Sequence, residues 1–353
     1  MNTRRDGNRR KIGAFVVMLC VAFAAGKSAL HAQDLHFSQF YNSPLTTNPA
    51  NTGFIPDADY RIGVNYRNQY SSIMTVPYKT MSVWGDAQVM RDRFENGWIG
   101  LGGVILRDVA GSGQLTSTKV YGSVAYHQML GFSSLLTAGF NVGMASKRID
   151  VTKLTFPDQF DGKFFDSKIP TSVSLAKTNV SYLDMQVGVN YAFFPTENVY
   201  INAGASIHHV NSPAESFFTE QPGVDNKIPR RYIGFLNGSF KVSDMVIINP
   251  NIYYTNQAQS SELTAGGYVQ YNLSGDGTTQ VWGGAYYRAG DAAIPLVGFV
   301  WNDLRLTFTY DATVSTLSQY NNSRGAYEFA LIKQGVFGGF KGGARRQTLC
   351  PSF

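Results

Sequence analysis

Two adjacent histidines and one glycine-rich run are the residues of this chain whose types and spacing could support chemistry. His208 and His209 resemble a metal-binding pair, and residues 97–103 resemble a phosphate-binding loop. On a strand, however, adjacent side chains point to opposite faces, so these two histidines cannot bind one ion together. No helix-forming stretch follows the glycines, whereas a phosphate-binding loop leads into a helix N-terminus. We therefore predict no metal site and no cofactor site.

A hydrolytic site would need a nucleophile, a base and an orienting group close together. The two histidines and His127 are candidates for the base, but the chain contains no Gly-x-Ser-x-Gly nucleophile turn. Asp184, Arg305 and Asp311 are more typical of ion pairs or pore lining than of catalysis. We predict no catalytic residues and a protein without enzymatic activity.

The elements that carry these residues are amphipathic strands. Apolar and polar side chains alternate through 304–311 and again through 183–193, so one face suits lipid and the other suits water. An open sheet edge in hydrocarbon would leave backbone groups unpaired, so the sheet must close. The sequence predicts an all-β fold, a transmembrane outer-membrane β-barrel of about 14 antiparallel up-and-down strands. The predicted strands are 58–70, 79–90, 96–107, 114–129, 132–148, 180–194, 197–210, 230–242, 246–257, 261–273, 277–289, 292–301, 303–315 and 324–333.

The connections between these strands alternate between short turns and longer loops. The long connections are 149–179, 211–229 and 316–323. In bacterial outer-membrane barrels the short turns face the periplasm, and an even strand number then puts both termini there. The predicted organisation is a signal peptide at 1–32, a periplasmic N-terminal segment at 33–57, the barrel at 58–333 and a periplasmic C-terminal tail at 334–353.

The N-terminus predicts secretion to the cell envelope. Basic residues from Arg4 to Lys11 precede the apolar run 12–25, and Ala32 ends a plausible cleavage site. Without residues 1–32 the chain has 24 basic and 23 acidic residues, which gives no sign of nucleic-acid binding. Cys350 is then the only cysteine, so an intrachain disulfide is excluded.

Two of the long loops carry an unusual number of aromatic side chains. Exposed aromatic residues on a loop usually fold inward as a plug or contact a partner, because large free apolar patches are rare. Both interpretations stay open for the loops at 149–179 and 211–229. The candidate partner-binding residues are Phe156, Phe160, Phe164, Phe165, Phe217 and Phe218.

The segment before the first strand is rich in aromatic and amide side chains and contains Pro44, Pro49 and Pro56. The prolines exclude a continuous helix and disfavour sheet pairing. Such a segment must pack on something. It either plugs its own barrel or docks on a periplasmic partner, and both alternatives stay open.

Residues 33–45 (QDLHFSQFYNSPL) and 48–54 (NPANTGF) resemble the mature N-terminus of the PorP/SprF family. Further similarity lies in Tyr310–Thr313, in Gly325–Glu328 and in the final residues Cys350–Phe353. The departures are small: Leu35 stands where the family often has proline, and Ser352 stands where a basic residue is common.

The resemblance implies an outer-membrane component of the type IX secretion system of Bacteroidota, linked to gliding motility or to holding secreted adhesins at the cell surface. We expect the loops to bind a secreted surface protein or its C-terminal signal domain, and the periplasmic tails to contact motor or ring components. The lipid bilayer is the other expected partner. From the family motif, the expected periplasmic contacts are Gln39, Tyr41, Pro44, Asn48, Pro49, Cys350 and Pro351.

A solute channel, porin-like or for hydrophobic substrates, is the alternative function. A barrel of fourteen strands can enclose a lumen wide enough for a small molecule. An open lumen would favour this alternative, and a closed one would favour the anchor.

Overall fold

A computed structural model of the chain describes residues 34–337, except 57, 92, 112, 167, 174 and 219–224. The predicted signal peptide and most of the predicted C-terminal tail, including Cys350 and Pro351, lie outside the described residues.

Fourteen strands form one closed barrel in which each strand pairs antiparallel with its neighbours in sequence, and β1 pairs with β14. The predicted up-and-down barrel and its strand number are confirmed. The strands are β1 (Tyr60–Gln69), β2 (Tyr78–Val89), β3 (Gly97–Ala110), β4 (Leu115–Met129), β5 (Ser134–Arg148), β6 (Asn179–Thr196), β7 (Val199–His208), β8 (Arg231–Ser243), β9 (Val246–Gln257), β10 (Ser260–Asn272), β11 (Thr279–Arg288), β12 (Ala292–Trp301), β13 (Leu304–Thr313) and β14 (Arg324–Gly335).

The two faces of the wall differ as a membrane barrel requires. Val189 and Val297 point outward and are 54% and 59% exposed, whereas Asn190 and Thr307 point inward and are buried. An outer surface of exposed Val, Leu, Ile and Phe is stable only against hydrocarbon, so the wall spans the outer membrane. Among the described residues, no helix has the length and apolarity needed to cross a membrane.

The barrel has two distinct ends. At one end, here the short-turn end, the connections include 197–198 and 244–245. At the other end, here the loop end, lie the long connections 149–178, 209–230 and 314–323. By the rule for bacterial outer-membrane barrels, the short-turn end faces the periplasm and the loop end faces outside. The wall begins with β1 and ends with β14 at the short-turn end, as an even strand number requires.

Residues 34–56, here the plug, lie inside the barrel and run through the lumen. Asp34 contacts Lys119 and His209 near the loop end, whereas the backbone carbonyl of Ile55 accepts a hydrogen bond from Gln88 near the short-turn end. Of the two alternatives for this segment, the plug is therefore correct. Residues 34–56 of the predicted periplasmic segment lie in the lumen in this structure, where the polar inner wall offers partners for the amides of the segment.

The helices of the described residues are single turns. Pro44 and Pro49 each start one of them, at the position where the fixed φ of proline and its missing N–H cost nothing. The plug is thus a chain of short turns that can bend to follow the wall. The helical turns are Phe40–Asn42, Pro44–Thr47, Pro49–Asn51, Val151–Lys153, Pro157–Gln159 and Ser318–Asn321.

Candidate functional site

A buried ion cluster holds the plug near the loop end. The carboxylate of Glu328 on β14 accepts hydrogen bonds from the backbone N–H of Ser38 at 2.8 Å and of Gln39 at 3.0 Å. Arg67 on β1 donates to the same carboxylate and, at 3.0 Å, to Asp311 on β13. The Ser38 hydroxyl also donates to Asp311 at 2.7 Å. Three strands therefore bind two consecutive plug residues through charge-assisted hydrogen bonds, which are the stronger kind.

A second buried cluster, here called the latch, holds Asp34, the first described residue of the plug. The Asp34 carboxylate accepts hydrogen bonds from Lys119 at 2.6 and 2.7 Å and lies 3.2 Å from Nε2 of His209. Nδ1 of His209 lies 2.9 Å from Asp184, which also accepts a 2.6 Å hydrogen bond from Tyr121. With both ring nitrogens facing carboxylates, the protonated imidazolium satisfies both contacts at once.

The stability of the latch at Asp34 should fall both at high pH and in strong acid. Burial lowers the pKa of His209, but the hydrogen bonds that His209 donates to Asp184 and Asp34 outweigh burial and raise this pKa above its ordinary value of 6.5. The charged His209 therefore stabilises the latch fully below about pH 6.5, and this contribution is lost as pH rises through the raised pKa. Burial raises the pKa of Asp34, but Lys119 and His209 hold it well below 3.8, so its contribution is lost only in strong acid.

Hydrogen–deuterium exchange of the peptide that begins at Asp34, corrected for the intrinsic pH dependence of exchange, measures this latch. We expect protection to be greatest between about pH 4 and 6.5 and to fall as pH rises further. His209→Gln should abolish the loss of protection at high pH and leave the loss of protection in acid unchanged. Equal protection of the unaltered protein on both sides of the alkaline transition would contradict the role of His209.

Deeper in the lumen the plug lies directly on glycines of the wall. A Cβ atom at Gly139 would lie 2.4 Å from the backbone of Pro49, and one at Gly188 would lie 1.9 Å from Oδ1 of Asn48. The Asn48 side chain donates a 2.9 Å hydrogen bond to the carbonyl of Val189. Glycine thus lets the plug backbone approach the wall more closely than any side chain would permit.

His127 of the wall also forms a hydrogen bond with the plug. His127 is fully buried, with Nε2 at 2.8 Å from the carbonyl of Thr52 and Nδ1 at 2.9 Å from the hydroxyl of Thr137. Because a carbonyl only accepts, Nε2 carries the proton and Nδ1 accepts from Thr137. Within the described residues no group of three or more His, Cys, Asp and Glu side chains is arranged to hold a metal ion.

The predicted periplasmic docking residues of the plug lie inside the barrel. Gln39, Pro44, Asn48 and Pro49 are buried against the wall, and Tyr41 is half-buried and stacks on Tyr286 at 5.5 Å. Their polar groups are used inside the barrel: the Gln39 side chain, for example, donates to the hydroxyl of Thr309 at 3.1 Å. No docking surface remains among these five residues in the closed barrel, and the prediction for Cys350 and Pro351 concerns residues that are not described.

A small cavity lies between the plug and strands β1, β7 and β8. Its volume is about 120 Å³, and its lining includes Tyr41, Arg61, Asn202 and Asn237. Pockets for drug-sized ligands usually measure about 300–1,000 Å³. The cavity suits a few water molecules, which can satisfy the buried hydroxyl of Tyr41 and the amide oxygens of Asn202 and Asn237.

The predicted phenylalanines of the loops are mostly at the surface. Phe160 and Phe165 form an antiparallel bridge that makes a small hairpin, and Lys163 at its tip lies over the ring of Phe164. The exposed fractions are 54% for Phe160, 64% for Phe164, 50% for Phe165 and 57% for Phe218, whereas Phe156 and Phe217 are half-buried.

The two aromatic loops are joined to each other. The N–H of Lys177 donates to the carbonyl of Phe217 at 3.1 Å, and Lys147 forms an ion pair with Glu215 at 2.5 Å. The hydrogen bond joins the two loops, and the ion pair fixes the second loop to β5, on one side of the loop end above β5 to β8. We call the exposed Phe160, Phe164, Phe165 and Phe218 the loop patch.

The sequence profile of the family described as type IX secretion system membrane protein PorP/SprF matches residues 29–332, nearly the whole chain. The chain belongs to the PorP/SprF family. A search among curated proteins found no match. The PorP/SprF assignment and the closed barrel agree on an outer-membrane component of type IX secretion, a family and a fold that are not those of a known enzyme class.

Solved structures similar to this PorP/SprF protein are outer-membrane barrels. The toluene transporter TbuX of Ralstonia pickettii is 12% identical over 83% of this chain and 94% of its own, with a TM-score of 0.46. The toluene transporter TodX of P. putida is 12% identical over 84% and 94%, with a TM-score of 0.47. A FadL homologue of Pseudomonas aeruginosa is 10% identical over 88% and 96%, with a TM-score of 0.46.

Proposed function

We propose that this protein holds a secreted surface protein, such as an adhesin or its C-terminal signal domain, at the outside of the cell as part of the type IX secretion system. The main observation in support is the exposed loop patch. The filled lumen of the barrel supports the same proposal. The barrel fixes the position in the membrane, and the loops provide the recognition surface. In gliding organisms the bound protein would be a motility adhesin.

The loop patch has the properties of a protein-binding surface. Side chains of four phenylalanines are at least half exposed on two loops that a hydrogen bond joins, the second of which an ion pair fixes to β5. Contiguous exposed apolar patches on soluble surfaces usually mark contacts with partners, and aromatic residues are enriched at interfaces. Because the patch lies at the loop end, its partner lies outside the cell.

The filled lumen argues against a passive solute channel. Ion pairs and hydrogen bonds bind the plug at both ends of the barrel, and the cavities beside it are small, about 120 Å³ and about 30 Å³. A solute would have to displace buried charged partners, each of which is costly to separate. The short-turn end, with the tail that contains Cys350 and Pro351, is the proposed side of contact with periplasmic secretion components.

Replacing Phe160, Phe164 and Phe165 with serine tests the recognition role. Each buried phenylalanine contributes about 1.5–3 kcal/mol to a contact, so the triple variant should bind the partner at least roughly tenfold more weakly. We expect the secreted surface protein to move from the cell surface into the medium. Mild-detergent purification of the unaltered barrel, with mass spectrometry of what it retains, identifies the partner.

Phe132→Ser is the matched control, because Phe132 is 89% exposed but lies in the turn between β4 and β5, at the short-turn end. Heat-modifiable migration on gels shows that each variant is a folded barrel. Full attachment of the surface protein to cells that carry the folded triple variant would rule out the loop patch.

A further inference from the structure

The outer wall near the loop end is divided into two chemically different sectors. Six of the strands outside β2 to β6 carry a tyrosine at one of their last two outward positions, and tyrosine suits the membrane–water interface. From β2 to β6 the corresponding positions carry no aromatic residue. The tyrosines are Tyr66, Tyr232, Tyr254, Tyr287, Tyr310 and Tyr327.

Cations and hydroxyl groups replace the tyrosines in the sector from β2 to β6. Lys79 on β2, Arg107 on β3 and Arg148 on β5 are exposed and point outward, since the residues beside them in sequence, such as Thr80 and Asp108, are buried in the lumen. Threonine and serine side chains lie between or beside the cations. These hydroxyl residues are Thr118, Ser146 and Ser181, together with Thr116, whose hydroxyl donates to the Gln114 carbonyl at 3.0 Å.

The strand register brings these groups together. Arg107 pairs with Thr118 and with Met81, two residues from Lys79, and Arg148 pairs with Thr116. Neighbouring strands lie about 4.8 Å apart, so the three cations span roughly 14 Å of the wall. Long lysine and arginine side chains can reach across much of that distance. We call Lys79, Arg107 and Arg148 with their hydroxyl neighbours the cationic sector.

The cationic sector lacks counter-ions of its own. Inward-facing cations of the same strands are paired: Lys119 with Asp34 at 2.6 Å and Lys147 with Glu215 at 2.5 Å. In contrast, no carboxylate of the described residues lies within 4.0 Å of Lys79, Arg107 or Arg148. The outward positions of β2 to β6 contain no Asp or Glu at all. A cation at the edge of hydrocarbon needs an anion or deep hydration.

We propose that the cationic sector binds the phosphate groups of a lipid of the outer leaflet. Arginine and lysine with interleaved hydroxyls are the donor set that phosphate oxygens require, and arginine can bind them in a bidentate manner. The apolar residues one step further into the membrane receive the acyl chains. These include Ile105, Val120 and Met144, each about half exposed on the outer wall.

Charge complementarity favours a lipid over a protein as the occupant. The outer wall below the sector is a continuous apolar surface, as acyl chains require, and the sector stands at the level where headgroups begin. A bound lipid here would lie beneath the loop at 149–178, whose first residues fold over the β3–β4 turn through the hydrogen bond from Asp150 N–H to the Gly113 carbonyl. The lipid would thereby support one of the two aromatic loops from below.

Lipid binding can be measured with defined probes. The full-length barrel is purified, exchanged into mixed micelles that contain either diphosphoryl lipid A or the dephosphorylated form, and examined by native mass spectrometry. We expect the unaltered protein to retain diphosphoryl lipid A selectively. The variant with Lys79→Gln, Arg107→Gln and Arg148→Gln should retain it roughly tenfold less.

Lys333→Gln is the matched control, because Lys333 also lies on the outer wall but at the short-turn end, where it pairs with Asp303 at 3.2 Å. This variant should bind the lipid as the unaltered protein does, and heat-modifiable migration checks that both variants fold. Equal retention of phosphorylated and dephosphorylated lipid, or unchanged retention by the triple variant, would overturn the proposal. So would a membrane protein that co-purifies through these three cations in the absence of lipid A.

Discussion

Replacing Glu328 with alanine is expected to release the plug from the loop end of the lumen and to turn a closed barrel into a conducting one. The Glu328 side chain is 1% exposed and accepts hydrogen bonds from two plug N–H groups and from Arg67. Alanine would leave those N–H groups without a partner and remove one of the two carboxylates bound to Arg67. Breaking a buried ion pair from one side costs about 3–5 kcal/mol, a large part of the stability of a typical domain.

Single-channel recording in planar bilayers detects the opening. The unaltered protein should show little conductance, and the Glu328→Ala barrel should show frequent or sustained open events. Asp303→Ala is the control, because its ion pair with Lys333 is exposed at the short-turn end and such pairs contribute about 0–1 kcal/mol. A folded Glu328→Ala barrel with the same closed trace as the unaltered protein would show that the cluster does not hold the plug.

Replacing Gly139 with valine should displace the plug from the middle of the lumen. The new Cβ would lie 2.4 Å from the backbone nitrogen of Ala50 and the carbonyl carbon of Pro49. Backbone atoms cannot rotate away as a side chain can, so the plug must shift as a unit. Forcing extra volume into a packed site costs about 3 kcal/mol or more when the backbone has to move. The strand itself should tolerate the change, because valine favours β structure.

Protease protection measures this displacement. Cleavage within 34–56, mapped by mass spectrometry, should be slow in the unaltered barrel and at least roughly tenfold faster in the Gly139→Val barrel, since protection follows the free energy of opening. Gly122→Val is the control on the adjacent strand: its new Cβ faces lipid, and the nearest atom is 4.0 Å away. Equal protection in the two variants would mean that close approach at Gly139 is not needed for plugging.

The wall could be predicted from the sequence almost in full. The alternation of apolar and polar residues repeats in most strands, although Ile233 on β8 and Ile294 on β12 are apolar side chains buried on the lumen face. The largest error in a strand boundary is at the end of β3, predicted at 107 and found at Ala110. The pattern is reliable because lipid and water impose opposite demands on the two faces, so a shift by one residue would reverse every side chain. Phe160, Phe164, Phe165 and Phe218 are exposed on the loops, and their role in binding a partner stays a prediction.

The plug could not be placed in the same way. Its turns, prolines and amides have no period, so local patterns do not reveal which face meets the wall, and the partner of Ser38 lies 290 residues away at Glu328. One signal in the sequence does point to a luminal segment. Inward-facing Arg67, Asp311 and Glu328 lie at the loop ends of adjacent strands, and such charges in a polar lumen need partners that a separate luminal segment can supply.

The path of the plug has a consequence for how the molecule is made. The chain enters the wall at Tyr60 from the periplasmic side, yet Asp34 sits among Lys119, His209 and Arg231 at the opposite mouth. If the barrel closed first, residues 34–56 would have to pass through its lumen from the short-turn end to the loop end. Laying the segment against β3 to β7 first, and joining β14 to β1 last, avoids that passage. We therefore expect the wall to close around residues 34–56 already in place, with the β1–β14 pairing formed last.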